Sequence, residues 1–203
     1  MNDPRWAGVD RYERVELESM AFDSRYKILS GAVIPRPIAL VSTLAADGSV
    51  NIAPFSSFMI ASVENGYLAF SVGPSEHPKR TLLNIRRSRM YVINAVSEGM
   101  ADAVQRSGAE RPAKQADAPR FGFALLPSEC IAVPRVADAR IHFECRLRRV
   151  LRFGESNMVI GEVVRMHVRA GLMSEGKIDP ARYAPLGRLA GRNYCTVRDV
   201  VRA

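Results

Sequence analysis

The stretch IHFECRLRRVLRFGESNMVIGEVVRMHV, residues 141–168, gives the clearest structural signal in the chain. Apolar and polar residues alternate from Ile141 to Leu147, and the alternation returns from Val164 to Val168 beyond the turn at residues 154–156. Successive side chains of a strand lie on opposite faces of a sheet. The stretch therefore predicts a long hairpin with one buried and one solvated face, formed by Ile141–Phe153 and Asn157–Val168.

The ionisable side chains of this hairpin are expected to have structural surroundings. Carboxylates on an alternating strand are more typical of a solvated face than of a catalytic pair, and isolated strand histidines usually pack structurally. We therefore predict no catalytic role for Glu144, Glu155, Glu162, His142 or His167.

Shorter strands are predicted from brief apolar runs that end at turn residues. Gly48 can adopt positive φ, so Ala45–Ser49 is expected to be a hairpin loop. Pro54 lacks a backbone donor and indicates an edge strand or a bulge. The pattern is typical of a mainly β protein, either a small barrel or a sandwich. The predicted strands are Ile38–Leu44, Val50–Ile60, Tyr67–Val72, Tyr91–Ala95 and one around Ile131–Val133; the predicted helices are one near Glu13–Met20, one capped by Thr81 and one over Glu98–Arg106.

The composition predicts a single globular domain. The chain has 203 residues, 47% of them hydrophobic and 25% charged, which is enough for one full core. No run approaches the roughly 18 apolar residues of a membrane span, and the charged opening Met1–Trp6 does not resemble a secretory leader. We therefore expect a cytoplasmic protein with an N-terminal arm over residues 1–25 and one domain over residues 26–203.

Basic residues outnumber acidic ones by 29 to 21, which gives a formal net charge of +8. Such a balance can indicate nucleic-acid binding. The positive charges are spread along the chain, however, and no helix-turn-helix, zinc-finger or aromatic RNA-binding motif accompanies them. The pattern favours an anionic small molecule over nucleic acid as the ligand.

The cysteines and histidines predict neither a disulfide framework nor a metal site. The cysteines are odd in number and lack a Cys-x-x-Cys pair, and the histidines have none of the usual metal-binding spacings. The residues concerned are Cys130, Cys145, Cys195, His77, His142 and His167.

Two polar segments among the predicted strands suggest a binding site. In Ile34-Pro35-Arg36-Pro37, the prolines keep the backbone around Arg36 extended, which limits the entropy lost when the segment lines a ligand. In Asn51–Phe58, Ser56 and Ser57 follow Pro54, and their hydroxyls with unpaired N–H groups suit a phosphate or a heterocycle edge. The alternatives are a stiff strand entry and a polar edge strand.

A third segment, His77–Asn84, carries Lys79 and Arg80 directly before a predicted helix whose N-cap is Thr81. The first N–H groups of a helix have no internal acceptor and lie at the positive end of the helix dipole. A bound phosphate explains the two cations, whereas capping explains only Thr81. Together the three segments predict a planar ligand that carries a phosphate.

In this order, these motifs resemble the flavin reductase-like, FMN-binding split-barrel family. The closer likeness is to the branch with flavoredoxin and the flavin reductase components of two-component monooxygenases. Two residues differ from the usual pattern of the family. Arg80 stands where the family often has Asp, and Ala190 stands where it often has Gly. The resemblance runs from about Tyr26 to Val197 and is carried by Pro35–Thr43, Asn51–Phe58, Lys79-Arg80-Thr81 with Asn84, Phe153–Ser156 followed by Ile160–Val163, and Tyr183-x-Pro185-Leu186-Gly187-Arg188-Leu189-x-Gly191-x-x-Tyr194.

The resemblance implies a six-stranded Greek-key split β-barrel with flanking helices, and a homodimer with two FMN sites at its interface. It also implies the roles of individual residues. Ser42, Thr43, Asn51 and Ala53 would contact the isoalloxazine; Ser56, Ser57, Lys79, Arg80 and Thr81 would hold the phosphate; Arg36 and Pro37 would border the ring; and Asn84 would support the phosphate helix.

The activity implied is that of an NAD(P)H:FMN oxidoreductase. A hydride would pass from the nicotinamide of NADH or NADPH to flavin N5, with no obligatory acid–base residue, and a monooxygenase or another acceptor would take the electrons. Two alternatives stay open. One is a flavoredoxin-type electron carrier that does not oxidise NAD(P)H directly, and the other is a non-redox module that binds nucleic acid or another anion.

Overall fold

The structure, a computed structural model, describes residues 13–75, 79–108, 117–197 and 199–201. His77 and the first twelve residues of the predicted arm lie outside them. No helix in these segments is long and apolar enough to span a membrane. They form the helices α1 Phe22–Ala32, α2 Arg80–Ser88, α3 Ala101–Ser107, α4 Asp117–Phe121 and α5 Pro180–Tyr183. They also form the strands β1 Arg36–Pro37, β2 Ala39–Leu44, β3 Val50–Phe55, β4 Phe58–Ser62, β5 Tyr67–Val72, β6 Met90–Ala95, β7 Leu125–Leu126, β8 Arg135–Val136, β9 Ile141–Phe153, β10 Ser156–Val168, β11 Met173–Ser174, β12 Lys177–Ile178, β13 Leu186–Arg188 and β14 Tyr194–Thr196.

The main sheet contains seven antiparallel strands in the order β3-β2-β6-β9-β10-β5-β4. Its two edge strands, β3 and β4, are consecutive in the chain and are separated only by Ser56 and Ser57. Two ends of one sheet can be joined by two residues only if the sheet curls back on itself. A hydrogen bond from the Ser71 N–H to the Ser57 carbonyl, 2.9 Å, helps to close the curl.

This curled sheet with flanking helices confirms the predicted mainly β split-barrel fold. The sequence predicted one strand over Val50–Ile60, whereas the structure divides that stretch between β3 and β4 at the serines. Pro54 lies on β3, an edge strand, as expected for a residue that cannot donate to a neighbouring strand.

The predicted hairpin is confirmed as β9 and β10, which pair from Ser156 opposite Phe153 to Val168 opposite Ile141. The predicted solvated face is wrong for its first half. Glu144 has no exposed surface and His142 is 5% exposed. The reason is that the chain between β7 and β8 covers Glu144, which accepts the Glu129 and Cys130 N–H groups. His142 lies against Asn94, which accepts the Val136 N–H of β8.

The strand predicted around Ile131–Val133 is also wrong, because this covering segment is a series of bends. Ile131 and Val133 are nonetheless buried, in a small cluster with Val92 of β6. A short apolar run can mark a buried loop as well as a strand, and the sequence pattern does not distinguish them.

Two helix predictions change. The helix predicted near Glu13–Met20 is wrong: the Met20 N–H bonds the Leu17 carbonyl and Ser19 Oγ donates to the Glu16 carbonyl, which closes a turn. The first helix, α1, begins at Phe22 instead and spans the predicted boundary at residue 25.

Helix α2 begins two residues earlier than predicted. Its N-cap is Lys79, whose side chain makes no capping bond, so the prediction that Thr81 caps the helix is wrong. Thr81 lies in the first turn and accepts a hydrogen bond from Asn51 Nδ2 at 2.9 Å. The helix predicted over Glu98–Arg106 is confirmed in its C-terminal part as α3.

The core lies on both faces of the sheet. One cluster packs α2 against the concave side through residues such as Val41, Ile85 and Tyr91. A second packs α3 and α4 against the other side through residues such as Leu40 and Val104. Because β2 is covered on both faces, its successive side chains enter different environments.

Candidate functional site

Four hydroxyl and amide side chains form a buried cluster between the sheet and α2. Asn51 Nδ2 donates to Thr81 Oγ1 at 2.9 Å and lies 3.3 Å from Thr43 Oγ1. Asn84 Nδ2 donates to Thr43 Oγ1 at 3.0 Å. Thr43 of β2 and Asn51 of β3 are directly paired, which places both side chains on the α2 face. The cluster thus fixes the first two turns of α2 relative to the edge of the sheet.

The N-terminus of α2 has the properties of an anion site. The first helical hydrogen bond runs from the Leu83 N–H to the Lys79 carbonyl, so the preceding N–H groups have no acceptor within the helix. The first turn contains no acidic residue. Lys79 and Arg80, both half-buried, add positive charge at the positive end of the dipole.

A pocket of about 570 Å³ opens beside Ser56 and Ser57. This volume lies within the range of about 300–1,000 Å³ common for small-ligand sites. The pocket lies between α1 on one side and β4, β5 and β10 on the other. Its lining is mostly apolar and aromatic, with Arg36 and Pro37 of β1 at one wall and Phe22, Tyr26, Phe58 and Phe70 among the remainder.

Arg36 lies in the pocket wall with its guanidinium engaged on all three nitrogens. Nη1 donates to the carbonyls of Ser30 and Val33 at the end of α1, and Nη2 donates to the Leu189 carbonyl at 3.1 Å. Nε donates to Ser56 Oγ at 3.3 Å. Arg36 therefore joins α1, the β3–β4 junction and the C-terminal segment.

The C-terminal motif lies against the Pro-Arg-Pro segment. Strand β1 pairs with β13, and Pro37 is opposite Gly187. A Cβ at Gly187 would lie 2.8 Å from the Cβ of Pro35 and 2.9 Å from the sulfur of Cys195. Only glycine allows this approach, so the C-terminal motif packs directly behind the Pro-Arg-Pro segment that lines the pocket.

The predicted site residues thus fall into separate groups. Arg36, Pro37, Ser56 and Ser57 line the pocket. Thr43, Asn51, Thr81 and Asn84 form the buried cluster, and Lys79 and Arg80 begin α2. Ala53 is half-buried on β3, opposite Val41.

Ser42 lies on the opposite face of β2 from Thr43. Its side chain is fully buried and donates to the Pro134 carbonyl at 2.7 Å. Asn94 Nδ2 donates to its oxygen at 3.2 Å. Strand alternation therefore leaves only the backbone of Ser42 for the predicted contact with a ring on the α2 side.

Sequence reasoning missed a buried polar network under the segment that crosses β9. The Glu144 carboxylate accepts the N–H groups of Glu129 and Cys130, at 2.8 and 2.7 Å, and a bond from His167 Nε2 at 2.6 Å. Asn94 Oδ1 accepts the Val136 N–H at 2.8 Å. In the sequence, the only sign of this network is the carboxylate on the strand face that is expected to be solvated.

Two pKa values in this network differ from their ordinary values. Burial would raise the pKa of Glu144, but donation from the Glu129 and Cys130 N–H groups and from His167 lowers it overall. Burial lowers the pKa of His142 to about 4, and the Arg135 charge acts in the same direction. His142 Nδ1 lies 3.0 Å from Asn94 Oδ1. The network holds the covering segment on the sheet.

Residues 30–196 match the protein family described as "flavin reductase like domain". The chain belongs to the flavin reductase-like family. An uncharacterised protein of Halalkalibacterium halodurans is 35% identical over 87% of this chain and 88% of its own length. Among flavin reductase-like solved structures, nitrilotriacetate monooxygenase component B from Bacillus cereus is 28% identical, with a TM-score of 0.92 over 96% of this chain and 100% of its own.

The 2-nitrobenzoate 2-nitroreductase of Pseudomonas fluorescens is also similar. It is 34% identical, with a TM-score of 0.87 over 94% of this chain and 95% of its own. Such likeness over nearly the whole of both chains means that this chain shares its fold with the monooxygenase component and the nitroreductase.

The pKa of His142 predicts how stability depends on pH. The folded value of about 4 lies below the ordinary value of 6.5, so between these values the unfolded chain binds a proton that the folded chain excludes. We expect the free energy of unfolding to fall as the pH is lowered from 7 to 5. His142→Gln should flatten this dependence, measured by urea denaturation at each pH.

Measurements above pH 5 report on His142 and not on Glu144. Because the pKa of Glu144 is lowered, the contribution of its carboxylate to the free energy of unfolding is lost only below about pH 4.5. Equal pH slopes for the wild type and the His142→Gln variant would show that His142 does not remain neutral in the folded protein.

Proposed function

We propose that this chain binds FMN and acts as an NAD(P)H-dependent flavin reductase. The observation that carries the proposal is the first turn of α2, where Lys79 and Arg80 accompany backbone N–H groups that have no helical acceptor. This turn is tied through Asn51 to β3, the strand that leads into the apolar pocket at Ser56 and Ser57. A phosphate joined to a planar ring is the ligand that suits both features.

The phosphate would be held by charge and by hydrogen-bond donors together. The first-turn N–H groups of α2, the Lys79 ammonium and the hydroxyls of Ser56, Ser57 and Thr81 supply donors, and Arg80 adds charge beside them. Charge-assisted hydrogen bonds to a phosphate are roughly twice as strong as neutral ones. These residues would therefore provide most of the preference for FMN over riboflavin.

The ring would extend from there toward the pocket. Arg36 and Pro37 would border it, Thr43, Asn51 and Ala53 would lie along its polar edge, and Asn84 would support the cluster by its bond to Thr43. Bound FMN would supply an N5 atom that accepts a hydride from a nicotinamide.

The chain's own contribution would be to position the reactants. Among the described residues, those that line the pocket include no histidine, aspartate or glutamate. Hydride transfer between two stacked rings requires no protein acid or base, only alignment and exclusion of water. The net charge of +8 would also attract anionic nucleotides, in a manner that salt weakens.

Lys79→Ala and Thr81→Ala are each expected to weaken FMN binding about tenfold or more, because a charge-assisted phosphate contact contributes roughly 1.5–3 kcal/mol. Riboflavin binding should change by less than about twofold, since riboflavin lacks the phosphate. Quenching of flavin fluorescence on titration measures both affinities.

Thr81→Ser keeps the hydroxyl that bonds Asn51 and serves as the control for loss of folding, while Lys177→Ala controls for general charge. Equal losses for FMN and riboflavin would contradict the phosphate assignment.

The reductase activity is tested by steady-state oxidation of NADH or NADPH with added FMN. We expect turnover with at least one donor, followed by the fall in nicotinamide absorbance. Tight FMN binding with no turnover on either donor would reject the reductase and leave the electron carrier. Failure to bind FMN, with a salt-sensitive shift of DNA, would instead favour the non-redox alternative.

We also propose that the protein is a homodimer, and that a monooxygenase accepts its reduced flavin. Helix α1 has eleven residues and buries none of them; Ile28, which does not line the pocket, is 39% exposed. A helix this short has little stability in water without packing. Ile60 on the edge strand β4 is 63% exposed. A second copy that covers β4 and the part of α1 outside the pocket would account for these apolar surfaces.

Ile60→Glu is therefore expected to convert the dimer to a monomer, because a charge in an apolar interface is costly. Light scattering coupled to gel filtration gives the mass directly. Leu126→Glu changes an exposed leucine of β7, outside α1 and β4, and should leave the dimer intact. A monomeric wild-type protein would refute this assembly.

A further inference from the structure

The pocket contains two guanidinium groups but no acidic side chain among the described residues that line it. These are Arg25 of α1 and Arg36 of β1. Within the described part of the chain, the hydrogen bonds of Arg36 go to neutral oxygens, three of them backbone carbonyls, and no carboxylate there pairs with its charge. An otherwise apolar pocket with two positive charges favours a ligand that is both apolar and anionic.

Arg25 is the guanidinium with donors still available. Its Nη2 donates to the carbonyls of Met20 and Glu18, at 2.9 and 3.3 Å, which holds the group in place. Its Nε is buried and has no hydrogen-bond partner in the described part of the chain. A buried donor without an acceptor is unfavourable, so an oxygen-bearing ligand that reached this group would relieve that cost.

The walls around Arg25 suit a flat ring. Phe22 and Tyr26, on the same face of α1, have nearly parallel rings with centroids 6.3 Å apart and an interplanar angle of 17°. Phe58 and Phe70 line the pocket from β4 and β5. Aromatic side chains on both sides favour a planar aromatic ligand through stacked and edge contacts.

We propose that this pocket binds planar aromatic monocarboxylates, with the carboxylate on the Arg25 guanidinium and the ring between α1 and the sheet. A guanidinium and a carboxylate match in geometry, and the pair is strongest where water is scarce. The proposal rests on the proposed function, in that it names a second ligand for the same flavin site. Arg25 selects for the negative charge, and the aromatic walls select for shape.

The test compares 4-fluorobenzoate with its neutral isostere 4-fluorobenzamide on the purified full-length protein saturated with FMN. Fluorine NMR titration gives both affinities without any turnover. We expect the benzoate to bind about tenfold or more tightly than the benzamide, and Arg25→Gln to remove that difference. Benzamide affinity should change by less than about twofold.

Lys27→Gln is the matched control, because it removes one positive charge from an exposed position of the same helix. It should leave both affinities unchanged. Arg25→Lys keeps the charge without the planar fork, and should retain part of the preference. Circular dichroism of each variant verifies that α1 is still formed.

Equal weakening by Arg25→Gln and Lys27→Gln would overturn the proposal, since only the general field would then matter. Unchanged benzoate affinity in Arg25→Gln, or no saturable binding to the wild type, would overturn it as well. Flavin titration of the same samples keeps the two ideas apart. Normal FMN binding without benzoate binding rejects only this inference, whereas loss of FMN binding in the wild type rejects the proposed function.

Discussion

The closure of the main sheet is the constraint on which the other features depend. Strands β3 and β4 follow each other in the chain yet form opposite edges of a seven-stranded sheet, so the sheet must curl until Ser56 and Ser57 bridge its ends. At this bridge the strand is interrupted, the Ser56 hydroxyl accepts a bond from Arg36, and the Ser57 carbonyl accepts the Ser71 N–H. The pocket begins there, and the buried cluster of Asn51 and Thr81 fixes α2 beside it. The geometry of closure thus produces a place where a polar and an apolar surface meet.

Much of this arrangement follows from sequence pattern. The alternation in residues 141–168 predicts the long hairpin because a strand repeats every two residues, and Pro54 marks an edge because it has no N–H to donate. The curl itself was not predictable from periodicity, since β3 and β4 have the same apolar character and only the structure divides them. Arg36 illustrates the limit of motif reasoning. Its position in the pocket wall matches its motif, but its bonds to three carbonyls reveal that it also joins distant segments.

The largest error concerns side chains that a non-repetitive segment covers. Glu144 and Ser42 look like residues of an exposed or ligand-facing surface, and both are fully buried. Their partners include backbone groups of Glu129, Cys130 and Pro134, in a loop with no periodicity of its own. Sequence patterns describe the two faces of a strand but not which loop crosses one of them. Buried polar groups need partners, so the network becomes understandable once the loop is placed.

The bond from Arg36 to the Leu189 carbonyl joins residues 153 positions apart. During synthesis Arg36 leaves the ribosome long before Leu189, and the intervening chain must be ordered before the two residues can meet. This bond, which holds Arg36 in the cavity wall, is therefore among the last contacts of the molecule to form. A nascent chain that has folded its long hairpin would still lack this contact, so the cavity reaches its final shape only at the end of folding.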